Sequence, residues 1–519
     1  MDRFQIDRRS LLRTLGVAGA VTIVRPGLSL AQDASPVAAG TGSLTIGKAL
    51  EPVGLDPALV TAAASFELIA VVYDGLVRLD EAYQPQPGLA ESWETPDDTT
   101  FVFHLRPGVT FHNGQPLTAD DVKFSFERIV NPDTASPWAS QFEPIQAIEV
   151  VDPQTVRFVL KQPYGPLLAT LAATYAVIVP QAEVTARSDL QQTMIGTGPF
   201  MLKEMQADTQ ITLAANPTYW EAGMPKLAEV IYRILPDEAA RLAAIRTGEV
   251  GLTPLTDTTS VGLADESEGV SVVTFETTDY YLLGINCQKA PYDNPQVRRA
   301  LSLAVDRQAL LDAVFFGQGS LTGSVVPTLG DWGADPATLP YFGPDPEQAK
   351  ALLAEAGVGA GMTMTILTSP LYPEFNNIAL VLQQQLEAVG ITVQLDQVEF
   401  GTFVERWRAR DFETFVSFNG SGNDPDRALY PVFHTGGSVN AFQFSEPELD
   451  TLLEEGRTTL DAARRHEIYQ EVQQRVADAA PALFFATRVA SFAHRETVAG
   501  FAPTAVNVWE TLKQTTVEE

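Results

Sequence analysis

The chain has 519 residues, a net charge of −31 and 45% hydrophobic residues. That length exceeds one compact core, so two or three domains are expected, and the apolar content excludes a disordered tail. The acidic balance argues against nucleic-acid or anionic-membrane partners, and a single cysteine, Cys287, excludes an internal disulfide or a cysteine metal cluster.

The N-terminus carries Asp7-Arg8-Arg9-Ser10-Leu11-Leu12-Arg13, an apolar run over 15–24, then Ser29-Leu30-Ala31. This is the order of a signal peptide, and the apolar run is too short to span a bilayer as a helix. The adjacent arginines resemble a twin-arginine export signal; an ordinary secretory signal would lead out of the cytoplasm equally. Residues 1–31 are therefore expected to be a signal peptide for a periplasmic or extracellular protein, with no cysteine there to carry a lipid. Residues 32–43, rich in Ala, Gly, Ser and Pro, read as a flexible leader.

The elements follow in chain order. Gly42 to Lys48 fits a phosphate-loop spacing, but Ala49 stands where a magnesium-binding Ser or Thr is needed, and the segment reads as a strand. Residues 99–105 place Phe101, Phe103 and Leu105 on one face, the two-residue period of a half-buried strand. Thr118 and Asp121 form a capping box before a helix carrying Val122, Phe126 and Ile129. Residues 150–156 read as a hairpin around Asp152, Pro153 and Gln154. Gly196-Thr197-Gly198-Pro199-Phe200 starts like a dinucleotide loop, lacks its third glycine, and reads as a tight turn. Residues 282–287 form an apolar strand in which Cys287 is a buried, inert thiol.

Asp345 and Pro346 open a helix with Ala349, Leu352, Leu353 and Ala356 on one face, ended by Gly357. A further helix carries Ile378, Val381, Leu382, Leu386 and Val389, ends at Gly390, and runs into a strand over 391–395, which is α/β grammar. His466-Glu467-Ile468-Tyr469-Gln470 lacks the second histidine of a zinc motif and reads as a solvated helix face. His104, His112, His434 and His494 show no metal spacing. No nucleophile elbow is present, and no catalytic residue, metal or other cofactor is expected. The many carboxylates leave a secreted carboxylate-dependent hydrolase as the alternative reading.

Longer segments carry more. Gly88-Leu89-Ala90-Glu91-Ser92-Trp93, then 101–114 with Arg106, His112 and Gly114, then 116–128 ending at Arg128, run in order. Segments 196–200, 216–220, 241–249, 291–306 and 480–484 follow in the same order. Together they resemble the family 5 extracellular solute-binding proteins, the peptide- and nickel-binding components of ABC importers, over residues 44–515. The resemblance implies an α/β periplasmic-binding-protein type II fold with two lobes and a hinge. Lobe one would comprise 44–280 and 489–519, with an extra subdomain at about 88–195; lobe two would comprise 281–488. Crossings near 278–284 and 487–494 would form the hinge. The implied partners are a small-molecule or peptide ligand and a membrane permease, with the protein acting as a monomer and binding no nucleic acid.

The same resemblance points to a ligand site in the second lobe, with Phe400 and the stretch 415–425. Backbone groups at Ser417 and Asn419 would pair with an extended ligand, and Phe418 would supply apolar surface. Without the resemblance, Phe400 and Phe418 would read as core packing. The family's amine-binding aspartate falls on Ser421, and its carboxylate-binding arginine near Ser369, so both charged anchors are replaced; Asp424 or Asp426 would have to substitute. A buried terminus without a counter-charge costs several kcal/mol. The expected ligand is therefore not a plain zwitterionic dipeptide but a blocked or longer peptide, an opine, an oligosaccharide or a metal chelate.

Overall fold

The structure, a computed structural model, describes residues 40–358 and 361–518. The signal peptide expected over 1–31 and most of the leader expected over 32–43 lie outside the described residues. The chain builds a ten-stranded mixed sheet in the spatial order Thr392–Gln397, Thr363–Thr368, Thr414–Gly420, Val270–Ile285, Ala482–Arg495, Leu252–Leu255, Ser43–Lys48, Glu229–Ile234, Gln210–Ala215, Phe200–Gln206. The fold class is α/β, as the alternating helix and strand patterns imply. The Gly42–Lys48 segment is the strand Ser43–Lys48, paired in parallel with Glu229–Ile234 along its whole length, which leaves no loop to wrap a phosphate.

Two strands carry the sheet from one half to the other. Val270–Ile285 is 16 residues long and rich in β-branched and aromatic side chains. It pairs antiparallel with Ala482–Arg495 from Val270↔Arg495 to Glu276↔Val489, then again from Leu282↔Phe484 to Gly284↔Ala482. Between these stretches, from Glu276 to Leu282, the register shifts twice, and a ladder broken in this way bends more easily than a continuous one. On one side of the break the strands continue into Leu252–Leu255 and the first half; on the other, into Thr414–Gly420 and the second.

A separate four-stranded antiparallel sheet, in the order Ala90–Asp97, Thr100–Leu105, Thr155–Leu160, Ile145–Asp152, is covered by the helix Ala119–Val130. Phe101, Phe103 and Leu105 all point into its core, where Phe103 and Phe126 meet Phe158 edge-on at 5.3 and 5.4 Å. The Asp121 carboxylate accepts the Thr118 N–H at 3.0 Å, closing the expected capping box. The helices Pro346–Glu355 and Pro373–Glu387 are followed by Gly357 and Gly390, both at positive φ, where glycine avoids the strain of a side chain. Near the C-terminus, Phe501, Trp509 and Leu512 pack into the core of the first half beside Tyr232 and Phe492.

Two distant motifs meet at His112. Its Nδ1 accepts the Gly196 N–H at 3.2 Å, so its Nε2–H donates to the Gly198 carbonyl at 3.0 Å, and the turn at Gly196–Phe200 is pinned. Burial holds the imidazole pKa down to about 4 from the ordinary 6.5. The folded protein therefore resists a proton that the unfolded chain accepts, so stability is full above pH 6.5 and falls as pH drops toward 4. A His112→Gln variant is expected to flatten that part of a pH–stability curve by about 2–3 kcal/mol, measured by urea unfolding at pH 7 and pH 4.5. An unchanged slope would mean that other groups set it.

Cys287 lies just past the end of its strand, which stops at Ile285. It is buried, and burial pushes its thiol up to about 11, so it is an unreactive core side chain. His466 sits on the helix Ala462–Ala479 with its Nε2 against the Asp331 carbonyl at 2.8 Å. Among the described residues no group of His, Cys, Asp and Glu has the arrangement of a metal site, and no helix is long and apolar enough to cross a membrane.

Candidate functional site

A cleft of about 860 Å³ opens between the two halves, within the size range of small-ligand sites. One wall comes from the first half. Trp138 and Tyr175 stack there at 4.2 Å with their rings 5° from parallel, and Phe66 meets Trp138 edge-on at 5.9 Å. The Trp138 indole N–H is anchored on the Val60 carbonyl at 3.0 Å, which fixes the plane of the stacked pair in the cleft wall. The opposite wall is the loop leading into the helix Pro425–Phe433, with Tyr430 and Arg457 beyond it. Asp279 and Ala490, from the two crossing strands, complete the lining, so opening or closing at those strands changes the cleft.

The helix Pro425–Phe433 is well specified locally. Asp424 caps it, accepting the Asp426 N–H at 2.9 Å, and Pro425 occupies the first position, where its missing N–H costs nothing. The same two aspartates are held from behind. Asp424 receives both guanidinium nitrogens of Arg465, at 2.5 and 2.9 Å. Asp426 accepts from Arg457 at 3.1 Å and from the Tyr469 hydroxyl at 3.2 Å. Burial pushes the Asp426 carboxyl up, and Arg457 opposes this. Burial likewise pushes the Asp279 carboxyl up against the pull of Arg488, 3.1 Å away.

The residues expected to touch ligand are distributed unevenly. Asp424 lines the cleft, but as the partner of Arg465, so it is not a spare anion. Ser421 and Ser369 have no exposed surface; the Ser421 hydroxyl accepts the Val326 N–H at 3.4 Å. Phe400 and Phe418 are half-buried and gather around Tyr372, each edge-on to it at 5.4 Å. The Arg488 guanidinium lies 4.2 Å above the Phe418 ring and ties this cluster to Asp279 at the cleft.

Ser417 and Asn419 lie on the strand Thr414–Gly420, opposite Leu282 and Tyr280. Backbone bonds from Ser421 N–H to the Thr278 carbonyl at 2.8 Å and from Asn286 N–H to the Glu413 carbonyl at 2.9 Å fix the parity of this ladder. Groups alternate along a strand, so Ser417 and Asn419 turn their backbone toward the crossing strand and not toward a ligand. Val416, Phe418 and Gly420 face the other edge, where Thr363–Thr368 pairs only as far as Leu367↔Phe415. The backbone groups of Phe418 thus face that edge, one residue out of the expected phase.

Sequence reasoning missed Trp138, Tyr175, Arg427 and Arg457. Trp138 and Tyr175 flank the family-like segments and carry no spacing of their own. Arg427 follows Asp424-Pro425-Asp426 directly, but its significance depends on how those aspartates are paired, by arginines 41 and 31 residues away. The halves also touch beside the cleft: the Gly165 N–H donates to the Arg457 carbonyl at 2.9 Å, and Arg457 lies 5.4 Å from the Tyr164 ring.

Comparison with known proteins agrees with this geometry. The family described as bacterial extracellular solute-binding proteins, family 5 Middle, matches residues 84–440. The dipeptide-binding protein of Escherichia coli K12 is 30% identical, covering 92% of this chain and 95% of its own length. Among solved structures, AgaA from A. tumefaciens R10 in complex with agropinic acid is 29% identical with a TM-score of 0.79, covering 92% of this chain and 99% of its own. The periplasmic binding protein DppA from Helicobacter pylori in complex with the peptide STSA is 26% identical with a TM-score of 0.80, covering 93% and 99%.

Proposed function

Because this chain belongs to the family 5 bacterial extracellular solute-binding proteins, we propose that it captures a small peptide-like or opine-like ligand in the cleft between its halves. As a solute-binding protein of that family, it delivers its ligand to the permease of an ABC importer. The observation that carries the ligand reading is a cleft walled by stacked aromatics from one half and a helix start from the other, with two crossing strands between. Closure at those strands would bury the ligand and present a closed form to the permease.

The relatives' names cover dipeptides, the peptide STSA and agropinic acid, but the family resemblance places serines where a dipeptide's charged ends would be held. Ser421 and Ser369 are buried, and neither supplies a counter-charge, so a free zwitterionic dipeptide would bury its termini at a cost of several kcal/mol. Phe400 and Phe418 would support the ligand's apolar part, and Phe418 its backbone. Export by the twin-arginine-like signal, a soluble monomer, and lobes of 44–280 with 489–519 and of 281–488 complete the reading. The hydrolase alternative is disfavoured by Asp424 and Asp426, whose carboxylates are each engaged by an arginine.

The test is a thermal-shift screen of ligand-stripped protein with free and blocked peptides, opines, oligosaccharides and nickel chelates. A true ligand at one hundred times its Kd adds about 2.7 kcal/mol and is recovered unchanged after hours of incubation. Turnover would favour the hydrolase, and tight binding of plain dipeptides would overturn the ligand class. A Ser421→Asp variant is expected to gain dipeptide binding.

A further inference from the structure

The charges lining the cleft are nearly all spoken for, and the remainder has a sign. Glu67 faces Lys48, Asp279 faces Arg488, Asp424 faces Arg465, Asp426 faces Arg457, and Glu510 faces Lys513. Among the described residues Glu143 is the one lining carboxylate without a cation, and it is exposed. Of the lining cations, Arg78 is taken by Glu221 and Glu510, and Arg457 by Asp426. Arg427 alone has neither a carboxylate within ion-pair distance nor a side-chain hydrogen bond among the described residues. In a chain of net charge −31, a cation left unpaired at a cleft is unusual company for so many carboxylates.

Its position makes a purely structural role hard to sustain. Arg427 is in the first turn of Pro425–Phe433, where a positive side chain opposes the helix dipole. Its stem is held: Gly422, at φ +64°, lies so close that an added Cβ would fall 2.5 Å from the Arg427 Cγ. Across the cleft stands Tyr175, whose phenol burial pushes up while the Arg427 charge pulls down. Arg427 and the Trp138–Tyr175 stack line the same cleft.

We propose that Arg427 holds a carboxylate of the ligand, and that the ligand presents no free ammonium group, because no lining carboxylate other than exposed Glu143 is left to receive one. The class is a compact organic acid with an apolar or planar part for the aromatic wall, such as an N-blocked peptide acid or a sugar-derived amino-acid conjugate. This inference rests on the binding-protein reading and narrows it.

The experiment compares wild-type protein with Arg427→Gln and Arg427→Lys by thermal shift and titration calorimetry. The probes are N-acetyl dipeptides with a free carboxylate, the same compounds as C-terminal amides, unmodified dipeptides, and opines. At least one acid, blocked peptide or opine, is expected to bind the wild type while amides and unmodified dipeptides do not. Arg427→Gln is expected to bind that acid about tenfold to a hundredfold more weakly, the loss typical of a charge-assisted contact. Arg427→Lys should recover part of it, and the unliganded melting temperatures should agree because no ion pair is broken. Equal affinity of wild type and Arg427→Gln, or binding of amides or unmodified dipeptides in place of acids, overturns the proposal while leaving a binding protein. Failure of every probe, with no small molecule released from unstripped protein, overturns the binding reading and this inference with it.

Discussion

Replacing Arg128 by alanine is expected to destabilise the protein by about 3–5 kcal/mol, because it strands a buried charge. Asp56 has no exposed surface and receives both guanidinium nitrogens of Arg128, at 2.8 and 2.5 Å. The Leu190 N–H at 2.9 Å and the Ala58 N–H at 3.1 Å complete its shell, so the carboxylate is fixed in place and cannot swing to water. The measurement is urea unfolding, read as a fall in midpoint at constant slope. The pair Arg157–Glu149, at 3.1 Å and with both side chains about half exposed, is the control: Arg157→Ala should cost under about 1 kcal/mol. Similar losses for the two variants would show that water reaches Asp56 and that the ion pair is not structural.

Gly165→Val is expected to weaken ligand binding by about tenfold or more while leaving each half folded. An added Cβ at Gly165 would lie 2.8 Å from the Thr459 carbonyl oxygen and 3.0 Å from the Arg465 Nε, across the contact between the halves. Backbone atoms there cannot step aside, so the closed arrangement is penalised and the open one is not. A penalty of about 1.4 kcal/mol on the closed state lowers apparent affinity tenfold if binding requires closure. Calorimetry gives the affinity, and small-angle scattering with saturating ligand reports whether the halves still close. Unchanged affinity in a protein that stays compact would show that this contact does not gate the cleft.

Local patterns along the chain were enough to identify many of its elements, its α/β class and its family. Helix and strand periods, the Thr118–Asp121 box and the glycines after the helices act over a few residues, so they can be read without knowing the tertiary context. The longest of the ordered motifs behind the resemblance, residues 88–128, belongs to one compact sheet-and-helix unit, in whose core Phe101, Phe103 and Phe126 pack with Phe158. How the site is wired follows from tertiary contacts. Which way Ser417 and Phe418 turn their backbone groups depends on the pairing of their strand with Val270–Ile285, and a shift of one residue reverses it. Whether Asp424 is a free anion depends on Arg465, and what Arg427 can do depends on both aspartates being already paired. Charge partners are chosen by packing across the fold, where distance along the chain carries no information, and that is why the cleft's single unpaired cation could not be read before its neighbours were in place.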